Sequence, residues 1–198
     1  MEFSDLARRR RMVRSFDGAA VPGDLMAAWC ELALSAPTAG NSAGVQFVVI
    51  EATRVAHYFE AATDESWRSN ARRADGLLRA GGVVLAISNP NLYTERYSEA
   101  DKAQSGLGDQ DAWPIPYWHT DAAMATMQLL LAAEDDSWAT CFWGNFRREA
   151  EILSLVGVAA PWRLFGSILI GRPDGNDVRS PSLDRDGLSR TSRVLRLS

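Results

Sequence analysis

Four short apolar runs, spread along the whole chain, constrain the fold more than any other feature of the sequence. Val45 to Ile50 is rich in β-branched residues, and comparable runs occupy residues 82–88, 138–143 and 162–171. Runs of this length and composition are typical of buried strands. Helical patterns lie between them, and no internal repeat or composition break divides the chain. The sequence therefore predicts a single domain over residues 1–198, of the α+β or the α/β class.

Apolar residues at helical spacing predict that most of the segments between the strands are helices. The longest helix, over residues 118–135, is apolar around most of its circumference, which indicates deep burial or a subunit interface. Residues 93–116 contain aromatic residues without clear periodicity, and we interpret them as an irregular lid or pocket segment. The remaining predicted helices are one capped by Ser4 and ending near Val13, one opening at residues 22–24, one over 53–80 broken near Trp67, and one over 147–156.

Composition argues against several classes of protein. The chain has 198 residues, a formal net charge of −4 and a predicted pI of about 5.2, whereas a nucleic-acid-binding domain is usually basic. It contains no run of about 18 apolar residues, so we expect no membrane span. Cys30 and Cys141 lie in apolar segments without metal-ligand spacing, and we interpret them as buried thiols of a cytoplasmic protein.

An arginine cluster stands out against this acidic background. Five arginines fall within residues 8–14, which predicts an anionic ligand. On the predicted first helix, Arg10 and Arg14 would share one face with Arg11 beside them, an arrangement suited to several charge-assisted hydrogen bonds to a phosphate. Two alternatives remain open: a solvated basic face, and an arginine-rich binding protein that holds nucleic acid or an anionic surface through this cluster and the arginine-rich tail at residues 172–198.

Several familiar catalytic motifs are absent from the sequence. It has no dinucleotide-binding glycine motif, no phosphate-binding P-loop and no nucleophile elbow. His57 and His119 are its two histidines, and we favour a structural role for both, although His119 borders the irregular segment. If the protein is an enzyme, a bound cofactor is therefore expected to carry the reaction.

The chain resembles the FMN-dependent nitroreductase family at five places in the order that the family has them. Residues 9–16 read RRRMVRSF, and residues 36–41 read APTAGN directly before a strand. The helix starting with residues 117–123 resembles the family's dimer-forming helix. Residues 140–146, TCFWGNF, resemble the loop placed over the flavin ring, and residues 164–173 resemble the last strand and its exit.

This resemblance implies a dimeric, nitroreductase-like α+β fold with a central, mostly antiparallel sheet flanked by helices. It implies an FMN site at the subunit interface, in which Arg10, Arg11 and Arg14 approach the phosphate. Met12 stands where the family often has serine, so a backbone contact is expected there instead of a side-chain contact. The other residues to which the resemblance gives a cofactor-binding role are Pro37, Thr38, Ala39 and Asn41 from the neighbouring subunit, Phe142, Trp143 and Gly144 beside the flavin ring, and Arg179 and Arg185 near the phosphate.

The implied activity is an FMN-dependent oxidoreductase that uses NAD(P)H as electron donor. It would reduce a small-molecule acceptor of the nitroaromatic, quinone or enone type by two-step hydride transfer, without a catalytic side chain. After Asn41 the family often continues with Gln-Pro-Trp, whereas this chain has Ser42-Ala43-Gly44. The difference leaves room for an alternative, a flavoenzyme of the same fold that dehydrogenates another substrate or transforms the flavin itself.

Overall fold

The four predicted strands form one antiparallel sheet. A computed structural model describes residues 2–178. The strands are β1 (Val45–Glu51), β2 (Gly82–Ser88), β3 (Ala139–Trp143) and β4 (Arg163–Gly171). Their order in the sheet is β1-β2-β4-β3, and every neighbouring pair is antiparallel. This confirms the α+β interpretation over the α/β one.

Eight helices surround the sheet in the described part of the chain. The longest is α7, which runs through the middle of the sequence and matches the predicted apolar helix within one residue. No helix among residues 2–178 is long and apolar enough to cross a membrane. The helices are α1 (Phe3–Arg9), α2 (Gly23–Ala33), α3 (Val55–Ala62), α4 (Glu65–Asn70), α5 (Ala74–Leu77), α6 (Pro90–Ser98), α7 (Tyr117–Asp135) and α8 (Glu149–Leu155).

Both faces of the sheet are covered, which explains why the strand β2 is a continuous apolar run. Val83 and Leu85 pack on one side against α3 and α8, and Val84 packs on the other side against α2 and α7. Strand β2 is buried along its whole length. A central strand with helices on both faces needs apolar side chains at successive positions, because neither face meets water.

The first helix is shorter than the sequence predicts. It begins at Phe3 rather than after a Ser4 cap, and it ends at Arg9 rather than Val13. Residues 10–14 are instead drawn alongside β3, where Met12 and Thr140 form a parallel bridge and the amide of Val13 donates to the carbonyl of Thr140 over 2.9 Å. Pairing with the sheet outweighs the local helical tendency of residues 10–14. The prediction that Arg10 and Arg14 share one face of a helix is therefore wrong.

Two other segments differ from the prediction. The stretch over residues 53–80 contains three helices, and the first break falls at Thr63, whose side chain caps the end of α3 by donating to the carbonyl of Phe59. The segment over residues 93–116 begins inside α6 and continues through two short 3-10 turns, Ala103–Ser105 and Gln110–Ala112.

Candidate functional site

The arginine segment lies against the outer strand of the sheet. Besides the bridge to Thr140, the sulfur of Met12 accepts a hydrogen bond from the amide of Phe142 over 3.3 Å. The thioether thus joins the segment to β3, and it packs on the same side of the sheet as α2 and α7. This contact brings Arg10 to Arg14 close to the predicted loop at residues 142–144.

Arg10 has buried guanidinium nitrogens without a partner. Its Nε and Nη1 atoms are buried, and neither makes a hydrogen bond to any residue among 2–178. Leaving a buried charged donor unpaired costs roughly 1–3 kcal/mol or more, so such groups in native proteins normally face a ligand, an ion or water. Two such donors on one positively charged side chain suit an anionic acceptor with more than one oxygen.

The other arginines of the cluster differ in their surroundings. Arg14 is half-buried and donates to the carbonyl of Met12 over 2.9 Å. Arg11 is exposed, and within residues 2–178 its guanidinium donates to the carbonyl of Arg8 alone, over 3.5 Å. Arg8 and Arg9 are exposed and pair with Asp5 and Glu134 respectively. The inward-facing members are therefore Arg10 and Arg14.

A further arginine, Arg73, stands at the start of α5, which docks on the arginine segment, and the sequence interpretation did not single it out. Burial raises the pKa of the Cys141 thiol to about 11, while the charges of both Arg14 and Arg73 oppose that rise. The amide of Phe16 donates to the carbonyl of Gly76, which docks α5 onto the arginine segment. The basic pair at residues 72–73 was a usable signal, but a single predicted helix over 53–80 concealed it.

The chain leaving β4 packs beside the end of the arginine segment. The amide of Asp17 donates to the carbonyl of Arg172 over 3.0 Å, and the Ser15 hydroxyl donates to Asp174 over 2.8 Å. Arg73 donates to the carbonyl of Val178 over 2.9 Å. Arg179 and Arg185, the predicted tail residues of the site, lie outside the described residues.

The last two residues of β3 place their aromatic side chains on opposite faces of the sheet. Phe142 packs on Phe165 with 5.4 Å between ring centroids, on the side of Met12. Trp143 packs on Trp67 on the other side, with 5.3 Å between centroids. Gly144 follows and lines an open cavity of about 330 Å³, together with Trp67, Trp143 and residues 62–64 and 145–148.

The loop over residues 37–44 is held in an unusual backbone conformation. Its core is one 3-10 turn, Ala39–Asn41, in which Gly40 and Asn41 have φ of 63° and 57°. Ala43 is also left-handed, with φ of 50°, and its amide donates to the Thr38 hydroxyl over 3.3 Å. Pro37 and Asn41 are exposed. Left-handed non-glycine residues cost energy and persist only where their surroundings hold them.

The structure brings some of the predicted site residues together and keeps others apart. The arginine segment, with Arg10, Met12 and Arg14, lies beside β3, and residues 142–144 form the end of that strand and the start of the following loop. The loop over residues 37–44 leads into β1, which is at the opposite edge of the sheet. Both loops lie towards the same end of the sheet. Val45 at the start of β1 pairs with Ser88, which pairs with Arg163 at the start of β4, and β3 runs towards that end, from Ala139 opposite Gly171 to Trp143 opposite Ser167.

His119 lies between these two groups. Its ring stacks on Phe165 at 6.2 Å, and its Nδ1 is 3.4 Å from the hydroxyl of the buried Ser88. Burial, and to a lesser degree the charge of Arg163, lowers its pKa. The imidazole is therefore neutral at pH 7. His57, in contrast, is exposed on α3.

Comparison with solved structures identifies the fold. The nitroreductase CinD from Lactococcus lactis, solved with nicotinic acid, matches with a TM-score of 0.76 and 12% identity over 100% of both chains. A nitroreductase-type protein from Desulfovibrio desulfuricans, solved with FMN, matches with a TM-score of 0.67 and 19% identity over 100% of this chain and 98% of that one. CLA-ER, an enone reductase of gut-bacterial fatty acid saturation, matches with a TM-score of 0.68 and 18% identity over 95% of this chain and 98% of that one.

Sequence comparison carries the assignment further than these structures, whose low identities establish only a shared fold. No curated protein matches the chain. The model of the nitroreductase family matches residues 7–172, a range that includes the arginine segment, the loop before β1 and the whole sheet. The chain therefore belongs to the nitroreductase family.

Proposed function

We propose that the protein is an FMN-dependent oxidoreductase that takes electrons from NAD(P)H and reduces a small electron-poor acceptor. The observation that carries this proposal is the buried, unpartnered guanidinium of Arg10. A phosphate supplies several acceptor oxygens and negative charge, which are what Nε and Nη1 lack. FMN-bound relatives of the same fold support the choice of FMN over a free phosphate.

The phosphate end of the site is assigned to residues around β3. Arg10 and Arg14 would hold the phosphate, with Arg73 adding positive charge from the start of α5, which docks on the arginine segment. Arg11 is exposed and would approach the phosphate from outside, while Met12 would contribute only its backbone because its sulfur is already bonded to β3. Arg179 and Arg185 remain proposed phosphate contacts.

The ring end of the site is assigned to the end of β3 and to the loop before β1. The end of β3 lies beside the arginine segment. The flavin held by that segment would therefore be flanked by Phe142, Trp143 and Gly144 of the same chain. Pro37, Thr38, Ala39 and Asn41 lie at the opposite edge of the sheet, so we propose that they approach the flavin of the neighbouring subunit. The site would then be complete only in a homodimer.

Exposed apolar side chains support that dimer. Met124 and Met127 on α7 are 41% and 40% exposed, and Leu32 and Leu34 at the end of α2 are 58% and 48% exposed. The Ser35 hydroxyl, beside Leu34, donates to Gln128, beside Met127, over 3.3 Å, so the end of α2 lies close to this part of α7. Clustered large apolar side chains in water are typical of a surface that another protein covers.

The reaction chemistry would come from the cofactor, and the chain would supply binding and orientation. Bound FMN supplies reversible hydride transfer, first from NAD(P)H and then to the acceptor. Among the described residues, the neutral His119 is the histidine at this end of the sheet, and we assign it no proton transfer. We propose nitroaromatic, quinone or enone acceptors, and the enone reductase among the structural neighbours supports the last class. We also propose a cytoplasmic location, where Cys30 and Cys141, buried free thiols, stay reduced.

An absorbance experiment tests the proposal. The purified protein should bind FMN, show the yellow flavin spectrum, and lose that colour when NADH or NADPH is added without oxygen. Added nitroaromatic, quinone or enone should restore the colour. Protein that does not bind added FMN would refute the proposal. Bound FMN that NAD(P)H does not reduce, but another donor does, would instead support a dehydrogenase of the same fold.

A nucleic-acid-binding function is disfavoured by the same geometry. Arg8 and Arg9 pair with acidic side chains, and Arg10 and Arg14 are turned inward. These four side chains therefore do not form the continuous basic surface that contacts with a nucleic-acid backbone require.

A further inference from the structure

A buried carboxylate holds the loop before β1 in place. Asp121, in the second turn of α7, is 1% exposed. Its Oδ2 accepts a hydrogen bond from the amide of Ala39 over 2.7 Å and another from the hydroxyl of Tyr93 over 2.8 Å. One carboxylate oxygen thus joins the helix α7 to α6 and to the loop.

The short distances and the burial make these hydrogen bonds energetically important. A buried carboxylate is costly unless donors surround it, and hydrogen bonds to a charged acceptor are about twice as strong as neutral ones. Burial, together with the neighbouring Asp121 carboxylate, raises the pKa of Tyr93, so its hydroxyl remains a donor throughout the physiological range. The backbone amide of Ala39 does not ionise, so it too remains a hydrogen-bond donor.

The loop also depends on close packing against α6. A side chain at Gly44 would lie 2.3 Å from the ring of Tyr93, and one at Gly40 would lie 2.7 Å from the ring of Tyr97. Arg96 donates to the carbonyl of Gly40 over 2.9 Å. Contacts from α6 therefore hold Gly40 and Gly44, while Asp121 holds the amide of Ala39 at the start of the turn and the Ser42 hydroxyl donates to the Ala39 carbonyl.

We propose that Asp121 is a positioning residue for the flavin site: it fixes the turn at residues 39–41, and through it the direction in which Thr38 and Asn41 present their polar groups to FMN. The inference rests on the proposed function and adds to it a residue that does not itself contact the cofactor. Tyr93 shares the same carboxylate oxygen but holds α6 rather than the turn, so it provides a matched control.

The test compares the Asp121→Asn and Tyr93→Phe variants with the unmodified protein. Dissociation constants for FMN are measured by fluorescence quenching, the flavin environment by visible circular dichroism, and folding by far-UV circular dichroism and thermal denaturation. Asp121→Asn keeps the shape and folds more readily than an alanine variant. We expect it to weaken FMN binding about 3- to 10-fold and to change the visible dichroism, because it replaces a charged acceptor of the Ala39 amide with a neutral one.

The control separates positioning from stability. Tyr93→Phe should lower the melting temperature at least as much as Asp121→Asn but leave FMN affinity within about 2-fold, because the Ala39 hydrogen bond remains. Equal effects of the two variants on FMN binding, or no effect of Asp121→Asn, would overturn the inference and leave the proposed function intact. Failure of the unmodified protein to bind FMN would overturn both.

Discussion

At the residue scale, the proposed site rests most on Arg10, whose buried Nε and Nη1 atoms have no hydrogen-bond partner among residues 2–178. A guanidinium can be buried without a partner only if folding energy elsewhere compensates, so its native state is adapted to a ligand rather than to stability. Replacing Arg10 with alanine should therefore leave the melting temperature of the FMN-free protein unchanged or higher. The ion pair of Arg8 with Asp5 does not indicate a ligand, because both side chains are largely exposed, at 71% and 61%.

His119 gives a pH-dependent prediction at the same scale. Its pKa is lowered in the folded protein from an ordinary value of about 6.5, so folding favours the neutral ring. The unfolded chain then binds more protons in the window below about 6.5, and stability falls as the pH falls through that window. Urea denaturation at pH 7.5 and 5.5 should show a smaller loss for His119→Gln than for the unmodified protein.

The control for this experiment is the other histidine. His57 is exposed on α3, so His57→Gln should lose as much stability as the unmodified protein between the two pH values. The pKa of the Glu149 carboxyl is lowered by its pairing with Arg163, which places its own titration below this window. A pH dependence that persists undiminished in His119→Gln would show that another group causes it.

At the scale of elements, the sequence was informative where local pattern decides the structure. The strands β1, β2, β3 and β4 were predicted within about one residue at each end because each is an apolar run between turn-forming residues. The helix α2 begins as expected at Pro22 and Gly23. In these segments local propensity and tertiary packing favour the same conformation.

The sequence was uninformative where a distant contact decides the structure. The end of α1 depends on pairing of Met12 with Thr140, far along the chain. The loop that carries Asn41 depends on a hydrogen bond from Ala39 to Asp121, 82 positions away. Arg73 approaches the arginine segment only because α5 docks there through Gly76. Periodicity and motifs do not reveal such contacts, so most of the candidate site residues were proposed from a family resemblance and not from the pattern.

At the scale of the whole molecule, the strand order leads to a prediction about subunits. The arginine segment adjoins β3 and the loop carrying Asn41 adjoins β1, at opposite edges of the sheet. If two subunits build each site, one subunit supplies Arg10 and its partner supplies Asn41. Arg10→Ala and Asn41→Ala homodimers would each have two damaged sites. A mixed dimer of the two variants would have one intact site and one doubly damaged site.

Subunit mixing tests this arrangement. The two variants, carrying different affinity tags, are unfolded together, refolded and purified as the mixed dimer. The mixed dimer should bind about one FMN per two chains with the affinity of the unmodified protein, while both homodimers bind weakly. Uniformly weak binding in the mixed dimer would show that Arg10 and Asn41 of one chain serve the same site. A monomer that binds FMN normally would contradict the shared site altogether.

The most direct measurement of the central claim is an FMN titration of the FMN-free protein beside its Arg10→Ala and Arg8→Ala variants. We predict about one FMN per chain for the unmodified protein and for Arg8→Ala. For Arg10→Ala we predict at least about 10-fold weaker binding with an unchanged far-UV spectrum, the loss expected when charge-assisted hydrogen bonds disappear. Equal FMN affinity in Arg10→Ala and the unmodified protein would contradict the assignment of Arg10 to the phosphate, and no binding by any of the three would contradict the flavin site itself.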